Sequence, residues 1–320
     1  MAMRVARIEH DGGAVWAVES VDGLRALTDT YATTRVFFEG GGLSDARTAM
    51  ATGALIAGDV QFLSPITRDA RFVCQATNYA DHIRETGGDP AHVTNNIIFT
   101  KASSCIVAAH ADIICPQHVH LLDYEIELGL VLKHGFDTPM ILQESDLSAW
   151  VGGLVIVNDI TARDIQVSHM QFHKSKSYRT FGPVGPWLVI PEGDDWARLF
   201  DLELTLCVDG EVRQKALARE MIFKPHKTLS ELSVIMDLNA GDLIATGTPA
   251  GVALRPPPAF VQAMAGFFSP AARFRAFLKG QLKRGQYLKS GQTITATIAT
   301  PDNSICLGKQ TNRIVAAEQL

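Results

Sequence analysis

Short apolar runs rich in Val, Ile and Leu, each closed by a turn of Gly, Pro, Asp or Asn, recur along most of the chain. From Phe72 onward they include IIFTK, ADIICP, DYEIELGLVL, GGLVIVND, GPWLVIPEG, LELTLCVDG, DLIATGTPAG and TITATIA. Regularly spaced short strands of this kind predict a β-dominated sandwich, roll or barrel, not a doubly wound α/β fold. Helical spacing is confined to Asp164 to Lys176, Thr228 to Asp237 and a weaker stretch from Leu43 to Ala57. The start reads as a small β-rich unit: MRVARIEH and AVWAVES are strand-like, with DGG between them. LSPITRDAR, Leu63 to Arg71, reads as a linker. The division expected is a small N-terminal β-rich domain over 1–65 and a catalytic domain over 66–320.

One segment breaks the pattern. From Arg255 to Lys289 there are seven Lys and Arg residues and no Asp or Glu. Ser269-Pro270 supplies an N-cap and a first-turn proline, and Phe274, Phe277, Leu278 and Leu282 follow at helical spacing. This predicts a basic amphipathic helix inserted between two strands. It reads either as a packed excursion with a solvated basic face or as a lid or landing surface for an anion. Phe267, Phe268 and Phe274 are candidates to line a cavity for bulky substrates.

The 320 residues suit one large domain with an appendage. A net charge of −5 gives no overall reason to expect nucleic acid as a partner. No apolar run has the roughly 18 residues of a membrane helix, so no membrane partner is expected. The N-terminus lacks a secretory pattern. Five scattered cysteines read as free thiols in a reducing, cytoplasmic setting.

Within LDYEIELGLVL, Glu125 and Glu127 are two apart, so on a strand they share a face. Two carboxylates buried together need a shared proton, a Lys or Arg, or a metal ion. Asp159 closes the run GGLVIVND and would add a third oxygen donor at a strand end. An all-carboxylate set suits Mg²⁺, Mn²⁺ or Ca²⁺, not zinc. In TNYADHIRETG, His82 and Glu85 are three apart; in a helical turn they would form a general-base pair. Arg163 and Gln166 share that spacing beyond Asp159, and Lys176 is expected further along the same helix. Thr248 sits in a glycine-flanked turn whose hydroxyl and N–H groups could hold a carboxylate. His169 and His173 have the spacing of a helical zinc pair but lack a third ligand. His118 and His120 fall in a loop and carry no role.

In their order, TNYADHIRE, FTKASS, DYEIEL, VNDITARDIQ, KSYRTFGPVGPW, VDGEVRQ, GDLIATGTPAGV and the terminal SGQTITATI and CLGKQTNRI resemble the fumarylacetoacetate hydrolase family. The resemblance runs from Phe72 to the C-terminus apart from the basic insert. It implies an α+β, β-dominated mixed β-sandwich roll, usually a homodimer. It implies Mg²⁺ or Mn²⁺ held by Glu125, Glu127 and Asp159, with Ca²⁺ an occupant possible in crystals. His82 and Glu85 would activate water, Lys176 would act with them, and Arg163, Gln166, Thr248 and Tyr79 would contact substrate. Departures are Ala76 near the usual glycine, Lys101-Ala102-Ser103-Ser104 for K-P-x-S, Gly291-Gln292 for G-D, and the long insert.

The expected reaction is cleavage of a C–C bond in a 2,4-dioxo acid, an acylpyruvate or fumarylpyruvate-like compound from aromatic catabolism, through a metal-stabilised pyruvate enolate. The same enolate would serve a 2-hydroxydienoate hydratase or isomerase, or an oxaloacetate decarboxylase.

Overall fold

The computed structural model describes residues 2–256 and 269–318. A twelve-stranded mixed sheet forms the body, and a five-stranded sheet packs against its centre. At the middle of the large sheet, Ile126–Leu132 runs antiparallel to Val151–Asn158 on one side and to Leu243–Ala245 on the other. Leu243–Ala245 is in turn parallel to Phe72–Ala76. Every residue of Ile126–Leu132 and Val151–Asn158 is buried. That explains why these runs read as continuous apolar stretches, not as alternation: both faces are covered.

The N-terminal strands are not a free-standing sheet. Met3–His10 pairs with Gly13–Ser20 and also, antiparallel, with Trp187–Ile190, which extends the large sheet at that edge. Gln61–Leu63 returns to pair with Met3–His10, and the family of strands is completed by the helix Gly42–Thr52 packed over it.

The stretch expected as one helix from Asp164 to Lys176 is two. Arg163–His169 ends where Met170 takes φ +53°, and Phe172–Lys176 starts again after it. His169 and His173 therefore sit on different helices, and the spacing that suggested a zinc pair is lost. Their Nδ1 atoms lie instead within hydrogen-bond distance of main-chain oxygens, of Ile165 and of Thr100. The insert does form the expected helix, Pro270–Leu282, with the Ser269 hydroxyl accepting from Ala272 N. Arg273, Arg275 and Lys279 on it and Lys283 at its C-cap are solvent-exposed, while Phe277 and Leu278 pack against the core.

Candidate active site

Strand register builds the acidic centre. Ile126 pairs with Asn158, so the residues just outside that pair, Glu125 and Asp159, face each other where the ladder ends. Asp159 N donates to Glu125 O at 2.8 Å, and the Asn158 side chain accepts from Glu125 N at 3.1 Å. The strand as expected is interrupted: only Glu127 lies within Ile126–Leu132, and Glu125 precedes it. One ligand oxygen from each of Glu125, Glu127 and Asp159 nevertheless comes within 4.8 Å of the others. All three side chains are buried.

Cations crowd the same point. Lys176 Nζ donates to Glu125 Oε2 at 2.8 Å, Asp159 Oδ2 at 2.5 Å and Thr161 Oγ1 at 2.9 Å. Lys101 Nζ donates to Asp159 Oδ1 at 2.5 Å and to Phe181 O at 2.8 Å. Arg163 reaches Asp123 Oδ2 at 2.7 Å, Glu125 Oε1 at 2.5 Å and Gln166 Oε1 at 2.8 Å. Four carboxylates (Asp123, Glu125, Glu127, Asp159) thus face three cations (Lys101, Arg163, Lys176), an excess of one negative charge when all are ionised.

That excess falls on Glu127. Its Oε2 accepts from Gly247 N at 2.9 Å, but its Oε1 is buried without a hydrogen-bond partner among the described residues. Burial first, then the Asp159 and Glu125 charges, push the Glu127 carboxyl well above the usual carboxylate range. Its neighbour moves the other way: Lys176 and Arg163 outweigh burial and hold Glu125 below that range. An orphaned buried oxygen in an oxygen-only cluster with surplus negative charge fits a hard divalent cation. Across such an ion two ligand oxygens lie up to roughly 4–5 Å apart, so the observed spacing fits as well. Glu125, Glu127 and Asp159 would hold it. Binding Mg²⁺ or Mn²⁺ should displace the Glu127 proton, so affinity should rise with pH through that raised range. Calorimetric titration in two buffers of different ionisation enthalpy checks this; equal heats would mean no proton is released.

His82 and Glu85 are brought together as their spacing predicts. Both lie on the helix Ala80–Glu85, with His82 Nδ1 and Glu85 Oε2 3.3 Å apart. A carboxylate only accepts, so Nδ1 carries the hydrogen and Nε2 is left for a ligand. Gly251 N lies 3.0 Å from each Glu85 oxygen. The turn ATGTPAGVA therefore does something other than expected: its N–H groups at Gly247 and Gly251 hold the protein's own carboxylates. Glycine is required at both. Gly247 has φ +86° with Asn78 Cβ 2.7 Å from a built Cβ, and Gly251 has φ +110° with Arg213 O at 1.9 Å.

His82, Glu125, Arg163, Gln166, Lys176 and Thr248 line one cavity of about 130 Å³, walled on an apolar side by Phe99 and Phe172. Those two rings stack with centroids 4.9 Å apart, and Lys176 Nζ lies 5.4 Å from the Phe99 centroid. The Thr248 hydroxyl is already committed: it donates to Ile126 O at 2.9 Å and accepts from Gln214 Nε2 at 2.8 Å. Its hydroxyl proton is thus engaged within the chain. Tyr79 does not line the cavity. It is buried, and its hydroxyl has no partner among the described residues. Phe267 and Phe268 lie outside the described residues. Phe274 is not on the cavity wall and packs against Phe277, centroids 6.3 Å apart.

Comparison with known proteins places this geometry. A family model described as fumarylacetoacetate (FAA) hydrolase C-terminal matches residues 71–315. The chain belongs to the fumarylacetoacetate hydrolase family. A mitochondrial oxaloacetate tautomerase of Bos taurus is 36% identical over 276 residues, covering 81% of this chain and 85% of the relative. The solved fumarylacetoacetate hydrolase of Exiguobacterium antarcticum superposes with a TM-score of 0.75 at 30% identity, covering 98% of this chain and 100% of that one. A 2-hydroxyhepta-2,4-diene-1,7-dioate isomerase of Mycobacterium marinum gives 0.68 at 25% identity, covering 99% and 100%. The family's members thus span hydrolase, isomerase and tautomerase chemistry, and the fold is β-dominated, as the strand spacing predicts, and of the α+β class that the resemblance implies. Among the described residues no helix is long and apolar enough to cross a membrane.

Four residues at the site escaped the sequence reading. Lys101 lies in the FTKASS stretch, which counted toward the resemblance but was given no role at the site. Asp123 opens DYEIEL and anchors Arg163, yet nothing in its spacing distinguishes it from a turn residue. Gln75, which lines the cavity and whose buried Oε1 has no partner among the described residues, carried no signal, and Arg255 was visible only as the first charge of the basic insert.

Proposed function

We propose that the protein is an enolate-forming enzyme of compact 2-oxo acids, and that it interconverts the keto and enol forms of oxaloacetate or a close analogue. The cavity carries this reading. At about 130 Å³ it is below the roughly 300–1,000 Å³ of sites for larger ligands, and it sets one imidazole among cationic groups. Arg163 and Gln166 supply donors for the carboxylates of the substrate. His82 Nε2 removes a proton from C3; the C–H pair becomes the C2=C3 bond and the carbonyl pair moves onto the 2-oxygen, where Lys176 stands as counter-charge. Reprotonation on oxygen gives the enol, and the reverse sequence gives the keto form. A divalent cation held by Glu125, Glu127 and Asp159 would supply Lewis-acid polarisation of the 2-keto group. Tautomerisation needs no attacking water and no room for a departing acyl group, which suits the small cavity. It is also the activity named for the bovine relative.

Hydrolysis of a compact 2,4-dioxo acid is the second reading. The His82–Glu85 pair favours it, because the same Nε2 can take a proton from water. The test is the decay of enol oxaloacetate absorbance with Mg²⁺ or Mn²⁺ and with EDTA, run beside acetylpyruvate cleavage and pyruvate release from oxaloacetate. Tautomerisation should be fastest, and His82→Gln should slow it by about 10²–10⁴-fold. Cleavage of acetylpyruvate without enhanced enol decay would replace the first reading by the second. No turnover of any of the three would remove both.

A further inference from the structure

The basic insert begins at Arg255, and among its described cations Arg255 alone is paired with a carboxylate. Its guanidinium meets Glu85 Oε1 at 2.5 Å, where the two side chains are 25% and 11% exposed. A second guanidinium nitrogen donates to Val252 O and, at 2.9 Å, to Leu254 O, which fixes the direction of the fork. The backbone of Arg255 is gripped from the insert's helix. Gln281, buried on Pro270–Leu282, donates through Nε2 to Arg255 O at 2.7 Å, while its Oε1 faces Arg255 N at 3.5 Å. The Tyr287 hydroxyl donates to the same Oε1 at 2.8 Å and fixes the amide's orientation. From Glu85 the chain of contacts continues to His82 Nδ1.

We propose that Arg255, clamped by Gln281, is a positioning residue for the His82–Glu85 pair, so that the insert forms part of the catalytic apparatus and not merely a surface excursion. The physical need is plain. Glu85 can hold the Nδ1–H tautomer of His82 only if its carboxylate stays aimed at the ring. At 3.3 Å the His82 contact alone is too long to secure it. Arg255 supplies the opposite charge and Gly251 N the second anchor. Without Arg255, Glu85 keeps only the Gly251 N anchor and can swing toward solvent, and His82 then loses the partner that sets which nitrogen is the base. The basic charges further along the helix take no part.

The inference rests on the proposed proton transfer at His82, and its test separates the two. With oxaloacetate, Arg255→Ala should lower kcat about 10–100-fold with KM little changed, and Arg255→Lys should recover much of the loss. Gln281→Met should give a smaller drop of the same kind. Glu85→Gln should lower kcat similarly, and Arg255→Ala added to Glu85→Gln should cost nothing more, because both act through one carboxylate. Independently of turnover, the ring nitrogen shifts of His82, assigned by His82→Gln in histidine-labelled protein, should show a single Nδ1–H tautomer that becomes mixed in Arg255→Ala. A mixed tautomer in that variant upholds the positioning role even if no 2-oxo acid is turned over. An unchanged His82 signal overturns it, as does a kcat loss that simply adds to that of Glu85→Gln. Should Arg255→Ala not fold, Gln281→Met carries the same kcat, tautomer and double-variant tests, with the smaller effects expected of it.

Discussion

Lys176→Met is expected to destabilise the metal-free protein by about 3–5 kcal/mol near neutral pH and to lower activity by about 10³-fold. Lys176 Nζ is the hub of the buried cluster, with Glu125, Asp159 and Thr161 all within 2.9 Å. Removing it leaves Asp159 with Lys101 alone and Glu125 with Arg163 alone, and the surplus of negative charge doubles. The pH dependence has a definite sign. In the variant the buried carboxyl groups are pushed above their unfolded values near 4, so the penalty is present at neutral pH. It fades as protons bind, and the stability gap between the two proteins should close as pH falls toward about 4. Added Mg²⁺ or Mn²⁺ should narrow the gap at neutral pH too, because the ion brings the positive charge that was removed. Urea unfolding across pH, with and without metal, reads all three effects. A variant as stable as the parent at pH 7 would mean the cluster is wetter, and its charges less coupled, than the burial indicates.

How much of this was legible in the sequence follows from which interactions are local. Glu125, Glu127 and Asp159 were readable because polar residues inside apolar runs are costly, so their presence there demands a reason. The His82–Glu85 pair was readable because three residues make a helical turn. The cations that balance the acids were not all readable in this way. Lys176 and Arg163 lie in motifs, but Lys101 arrives from a strand 58 residues before Asp159, a distance over which no periodicity carries information. The break at Met170 was equally hidden, since one residue at φ +53° resets a helix without disturbing its apolar spacing. Thr248 shows the converse limit. The turn was located correctly, but which groups a turn's donors satisfy depends on neighbours from Ile126 and Gln214, distant in sequence. The insert's helix was legible from its cap and spacing. The link to the dyad proposed for Arg255 was not, because it depends on Gln281, whose partner is 26 residues away in sequence.

Glu127→Gln separates a cation site from a self-sufficient ionic cluster. The glutamine carbonyl can keep the hydrogen bond from Gly247 N, and its amide nitrogen replaces the orphaned Oε1 with a donor facing neighbouring carboxylates. The surplus negative charge disappears: three carboxylates then face three cations. The metal-free variant should therefore be as stable as the parent, or more stable by up to about 1 kcal/mol. Its response to metal should collapse. At a free ion concentration of about 100 Kd the parent gains about 2.7 kcal/mol from binding. If losing one of three acidic ligands weakens affinity about 100-fold, the variant at the same concentration gains only about 0.4 kcal/mol. Thermal or urea unfolding over a Mn²⁺ series, with calorimetric affinities, measures both quantities, and activity should fall with the affinity. An undiminished metal response in Glu127→Gln would place the ion elsewhere, because no other buried oxygen of the triad is left unpaired to receive it. A clear loss of metal-free stability would instead show that the Glu127 charge is compensated within the folded chain, and the electrostatic case for the cation would fall with it.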